Sequence, residues 1–286
     1  MTIKTILVAA SGGTASEGAI ELGCRLARKF EAHLEAYHVL TDVREILLAT
    51  GEGFGMPMSG ELIDRITEDA AALAAKTKAA FEAALARHAI ASAAAPGKAG
   101  ASGGWREESG YGPYLVAQRA RFFDLVLLGR SERVVDQPHS DAVEQTLLQS
   151  GRPVLLAPAK PPQALGDSIA FGWNGEAAAV RALTGSLPLL AAARTVNVIV
   201  VGEKHRTSAA ALVEHLAWHG IKASLRPAYA IEGVGPGEQL LAEARDAGAD
   251  LLVMGGYGHR PWREALFGGA TREIVGVSLL PILLSH

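Results

Sequence analysis

The chain is written twice, and that duplication constrains its fold more than any local pattern does. Asp250-Leu251-Leu252-Val253-Met254-Gly255 repeats Asp124-Leu125-Val126-Leu127-Leu128-Gly129, with the two glycines 126 residues apart. Pro281-Ile282-Leu283-Leu284 repeats Pro153-Val154-Leu155-Leu156, and Ser168–Gly175 parallels Thr5–Gly12. Repeated blocks in the same order imply two copies of one structural unit. Between them runs Pro158-Ala159-Lys160-Pro161-Pro162-Gln163, which can continue neither a helix nor a central strand. The expected units are therefore 1–160 and 164–286, and 286 residues suffice for two compact cores.

Each copy alternates short apolar runs with amphipathic stretches. In the second copy the pattern predicts strands over 168–173, 196–201, 223–229, 250–255 and 281–285, and helices over 176–192, 208–219, 237–247 and 270–278. Val198-Ile199-Val200-Val201 is apolar on both faces, as buried parallel strands are. Strand–helix alternation of this kind makes an α/β fold, a parallel sheet with helices on both faces. Pro113 and Pro236 fall where a helix starts, which tolerates a missing N–H. The first copy is longer, chiefly through Thr41–Gly60, a stretch that could close over a pocket, offer a surface to a partner or pack on its own unit, and through the Ala/Gly-rich Ala89–Gly104.

A formal net charge of −3 gives no basic surplus for nucleic acid, and no uncharged run approaches the roughly 20 residues needed to span a bilayer. The start MTIKTILVAA enters a strand-like run without a small-residue cleavage site, and the single cysteine, Cys24, fits a reducing compartment, so a cytoplasmic location is expected. Cys24 shares helical spacing with Ile20 and Ala27, which predicts a buried, unreactive thiol.

Ligand chemistry is most legible after the fourth strand of the second copy. Gly255, Gly258 and Gly268 give G-x2-G-x9-G, running from Met254 to Gly269-Ala270-Thr271 at a predicted helix start. Glycines allow backbone to approach ribose and phosphate without an intervening Cβ. A helix N-terminus offers free amides and a favourable dipole to an anion, and Thr271 adds a hydroxyl.

This segment, with the ending GGATREIVGVSLLPILLSH, resembles the universal stress protein family, whose ATP-binding members carry G-x2-G-x9-G-(S/T) here. The resemblance covers both copies. It implies two tandem five-stranded Rossmann-like sandwiches of strand order 3-2-1-4-5, joined through their fifth strands as a pseudo-dimer, with homodimerisation optional. It implies a stress-response binding module for ATP or a related adenine nucleotide, with or without Mg, rather than a fast enzyme. The implied site comprises Asn174, Met254, Gly255, Gly258, Gly268, Gly269, Ala270 and Thr271. Asn174 stands where the family usually has Asp, and Gly269 where it has Ser or Thr.

The first copy lacks this glycine spacing, since Gly129 is followed by no glycine until Gly151. Its Ser11-Gly12-Gly13-Thr14-Ala15-Ser16 resembles the SGGxDS loop of PP-loop ATP pyrophosphatases, with Ala15 in place of Asp. The bland reading is a strand-to-helix turn capped by Thr14 or Ser16, with a weakened phosphate site as the alternative. Two other functions stay open: a stress-linked scaffold without nucleotide, and an ATP-using enzyme of the PP-loop kind. His215 and His219 share a helix face without an evident third metal ligand; His259, Arg260 and Arg263 suit either a phosphate tail or solvent. Trp105-Arg106 resembles the end of a third strand in tandem members. No nucleophile elbow and no Walker lysine is visible.

Overall fold

The computed structural model describes residues 2–41, 60–93, 100–130, 137–256 and 278–286. Within them the strands are β1 (Thr5–Ala9), β2 (His33–Thr41), β3 (Ala91–Ser92), β4 (Ser102–Gly110), β5 (Leu125–Gly129), β6 (Val154–Ala157), β7 (Ser168–Gly172), β8 (Thr195–Val201), β9 (Ala223–Ala228), β10 (Leu251–Gly255) and β11 (Ile282–Ser285). The helices are α1 (Gly13–Phe30), α2 (Gly60–Arg87), α3 (Gly112–Ala120), α4 (Gln137–Gln149), α5 (Ala177–Ala192), α6 (Arg206–Trp218) and α7 (Pro236–Asp246). The expected strands of the second copy are all present, shifted by no more than a residue or two. The helix expected over 270–278 and the bulk of the Thr41–Gly60 insertion lie outside the described residues.

All eleven strands belong to one sheet, ordered β3-β4-β2-β1-β5-β6-β11-β10-β7-β8-β9. Every neighbouring pair is parallel except β6 and β11, which run antiparallel with Leu155 opposite Leu283. In place of two five-stranded sheets there is thus one eleven-stranded sheet, in which the expected pairing of the fifth strands appears as β6 against β11. The fifth strands are apolar and buried on both faces, so hydrogen bonding to one another satisfies two edges that would otherwise stand open. The two-residue β3 adds a further strand at the first copy's outer edge.

Alternation along each strand builds two cores, one per face. Leu155 and Leu283 join Ile6, Val8, Ile169 and Phe171 under α1, α2, α5 and α6. Val154, Leu156, Ile282 and Leu284 join Leu7, Ala170 and Leu252 under α3, α4 and α7. Both cores cross the β6–β11 seam, as a period of two with both faces covered dictates. Cys24 is wholly buried in the first of them, and burial pushes its thiol up to about 12, so it carries no nucleophilic role at neutral pH. Trp105 lies within β4 rather than at its end, and packs against Phe81 and His38 with ring centroids 6.0 and 5.7 Å away. The proline-rich linker is held against α1: Arg25 Nη1 donates to the carbonyls of Pro162 and Gln163, the latter at 2.9 Å.

Candidate functional site

The repeated Asp-to-Gly block acts at both of its ends, and identically in the two copies. Asp124 Oδ2 accepts hydrogen bonds from the Lys4 and Thr5 amides at 2.8 and 2.9 Å, tying the start of β1 to the start of β5. Asp250 does the same for β7 and β10, accepting from the Gly166, Asp167 and Ser168 amides at 2.7, 3.0 and 3.2 Å. At the other end, a Cβ on Gly129 would lie 2.3 Å from the Ala15 carbonyl oxygen, and one on Gly255 would lie 2.5 Å from the Ala179 nitrogen. Both glycines let the first turn of the helix after the first strand sit directly on the fourth strand. The sequence signal for Gly255 is therefore accounted for by helix–sheet packing, a demand that Gly129 meets without any following glycine motif.

Around Gly255 the second copy brings together two of the sequence-predicted positions. β10 and β7 are neighbours, with Met254 opposite Gly172, so the carboxyl ends that carry Gly255 and Asn174 lie side by side. The chain leaves β7 for β8 on one side, while β10 lies on the other, which makes this the topological switch point. Asn174 is exposed, and its Oδ1 accepts from the Glu176 amide at 3.1 Å in a turn that opens α5. A backbone N–H can only donate, so this bond fixes the carboxamide with its oxygen toward Glu176 and its NH₂ turned away from it. Met254 is buried among the apolar residues beneath. Gly258, Gly268, Gly269, Ala270 and Thr271 lie outside the described residues, as do His259, Arg260 and Arg263.

Sequence reasoning missed the contacts made at the carboxyl ends of β7, β8 and β9. Gly175 has φ +74°, and a Cβ there would lie 2.7 Å from His205 Nδ1. Trp173 Nε1 donates to Ser208 Oγ at 3.0 Å. Arg206 ion-pairs with Glu203 at 3.0 Å and stacks over the Tyr229 ring at 4.6 Å. Trp173 and Gly175 follow β7, Glu203 and His205 follow β8, Arg206 and Ser208 lie in the first turn of α6, and Tyr229 follows β9.

In the first copy the equivalent turn has another character. The N-cap of α1 is Gly12 at φ +90°, with no side-chain hydrogen bond to the helix amides. This corrects the expectation that Thr14 or Ser16 caps the helix: two successive glycines with positive φ move the helix start upstream, and both hydroxyls fall inside the first turns. Helix α2 leans over the same turn, so that a Cβ on Gly12 would lie 2.7 Å from Leu73 Cδ1. His215 and His219 have ring centroids 4.8 Å apart, and among the described residues no group of three or more His, Cys, Asp or Glu side chains is gathered for a metal. Among those residues, too, no helix is long and apolar enough to cross a membrane.

No family model matches the chain, and no curated protein does. Among solved structures it is similar to a universal stress protein from Archaeoglobus fulgidus DSM 4304, at 15% identity and TM-score 0.73, over 99% of this chain and 96% of that one. It is also similar to a functionally unknown protein from Pseudomonas aeruginosa PAO1, at 14% identity and TM-score 0.50, over 99% of this chain and 92% of that one. At these identities the likeness establishes the fold.

Proposed function

We propose that this chain, which has the universal stress protein fold, binds ATP or a related adenine nucleotide in its second copy and works as a stress-response binding module rather than as an enzyme. The observation that carries this reading is the placement of Asn174 and Gly255 at adjacent carboxyl ends, at the point where the strand order reverses. The G-x2-G-x9-G sequence continues from that same point. The Asn174 NH₂ would donate to a ring nitrogen or ribose oxygen, where an Asp would have accepted instead. The chain would behave as two units, 1–160 and 164–286, with the first serving as the structural partner of the second. Mg, where present, would serve the phosphate tail; any hydrolysis would be slow.

The test is direct. Protein purified without added nucleotide is denatured, and the supernatant is assayed for adenine absorbance and mass. Release of an adenine nucleotide in close to equimolar amount is expected. Protein that releases none, and that binds none when ATP is supplied, would favour a scaffold without nucleotide.

A further inference from the structure

At the carboxyl ends of β8 and β9 the second copy holds an arginine whose hydrogen-bonding edge is unused. We propose that Arg206 anchors a site for an oxyanion with two oxygens free to accept, a carboxylate or a phosphoryl group, with Glu203 as a displaceable internal counter-ion. Two arginines of nearly equal burial make the comparison. The Arg119 side chain is 28% exposed, and its Nε and Nη2 donate to the two carboxylate oxygens of Glu35 at 2.7 Å each. The Arg206 side chain is 27% exposed, yet its Nε and Nη2 are buried and donate to no acceptor. These two N–H groups form the edge that matches a two-oxygen anion. Buried guanidinium donors without an acceptor are costly and uncommon in a folded protein. Glu203 does not answer them: its Oε1 lies 3.0 Å from Nη2 as an ion pair, without a hydrogen bond.

The surroundings hold this edge in place. The guanidinium lies over the Tyr229 ring, 4.6 Å from its centroid, which fixes the plane in which the two N–H groups point. Tyr229 is fixed in turn, since its carbonyl accepts from Gln239 Nε2, and the Oε1 of Gln239, a buried residue of α7, accepts from the Ile231 amide. At the start of α6 the Arg206 amide donates to the Glu203 carbonyl at 3.2 Å, and Ser208 Oγ donates to the His205 carbonyl at 3.0 Å. Trp173 ties Ser208 back to the end of β7. Glu203 is the loose member: its side chain is 66% exposed, and this ion pair is its only side-chain partner among the described residues. An exposed ion pair of that kind contributes little, so Glu203 gives way readily. An incoming anion then satisfies two donors that Glu203 leaves without a hydrogen bond, and a preplaced arginine leaves little to be ordered on binding. None of these residues belongs to the G-x2-G-x9-G segment, so the inference does not rest on the nucleotide reading.

Sodium acetate and inorganic phosphate are titrated separately into the full-length protein, against sodium chloride at matched ionic strength, while the Arg206 Nε–H and Tyr229 amide resonances are followed. Saturable shifts with an oxyanion and none with chloride are expected. Response to acetate alone identifies a carboxylate site, to phosphate alone a phosphoryl site, and to both a site that takes either. Arg206→Lys keeps the charge but loses the paired donors, and should weaken the Tyr229 response about tenfold. Glu203→Gln removes the internal counter-ion and should strengthen binding about two- to fivefold. No saturable shift, an equal response to chloride, an undiminished response in Arg206→Lys, or binding no stronger in Glu203→Gln would overturn the proposal. Gly258→Val, which targets the nucleotide motif, should leave these shifts intact, so failure here and failure of the nucleotide reading are separable.

Discussion

Gly129→Ala is expected to destabilise the protein by about 3 kcal/mol, while Gly112→Ala is expected to be nearly neutral. The added methyl at 129 would sit 2.3 Å from the Ala15 carbonyl oxygen and 2.4 Å from its carbon. Those atoms are backbone of a well-packed helix, so α1 must move away from the sheet as a body. Overpacking of this kind costs about 1–3 kcal/mol where side chains can yield, and more where they cannot. At Gly112, by contrast, the nearest atom to a new Cβ is 3.9 Å away. Gly255→Ala should behave like Gly129→Ala, because its Cβ would meet Ala179 and Ala178 backbone at 2.5 and 2.7 Å. Denaturant midpoints of the three variants decide the matter; equal midpoints for Gly129→Ala and Gly112→Ala would mean that helix and strand are not in the contact described.

The seam carries the second large effect. Leu155 and Leu283 are wholly buried and directly opposed across the one antiparallel pairing in the sheet. Leu283→Ala and Leu155→Ala should each cost about 2–5 kcal/mol, through lost transfer energy and the cavity left behind. Because the two side chains line the same cavity, the double variant should cost less than the sum, by roughly 0.5–3 kcal/mol. Strict additivity would show that β6 and β11 do not share a core. Fragments 1–160 and 164–286 mixed together should associate, and soluble fragments that ignore each other would contradict the pairing.

How much of this was legible in sequence depends on the range of the interaction concerned. Strands β7, β8, β10 and β11 were readable because each is a largely apolar run closed off by glycine, proline or a charge, whereas β9, ASLRPA, was placed by the strand–helix alternation around it. Composition marked β6 and β11 as apolar edges, and the resemblance implied that they pair. The single eleven-stranded sheet and the continuity of both cores across the seam were not legible, since they depend on the register of strands more than a hundred residues apart. The cap of α1 was misplaced because Thr14 and Ser16 are good capping residues by type, whereas Gly12 and Gly13 at positive φ decide where the helix starts. Gly255 was read through its possible ligand because close approach of backbone to a nucleotide and close approach of helix to strand select the same residue. Only Gly129, with the same neighbours and no motif after it, separates the two demands. Asp124 and Asp250 went unremarked for a similar reason: an acidic residue before a strand gives no local sign that its partners are amides at the start of a different strand.

The nucleotide reading of the second copy is tested most directly by calorimetric titration of ATP into the wild type, Gly258→Val and Ser16→Ala. A β-branched side chain at Gly258 would bar the close backbone approach that the glycine spacing provides. The expected result is one ATP per chain for the wild type, the same stoichiometry and affinity for Ser16→Ala, and no detectable binding for Gly258→Val. Equal affinity in all three proteins, or two equivalents of ATP per chain, would contradict a single nucleotide site in the second copy.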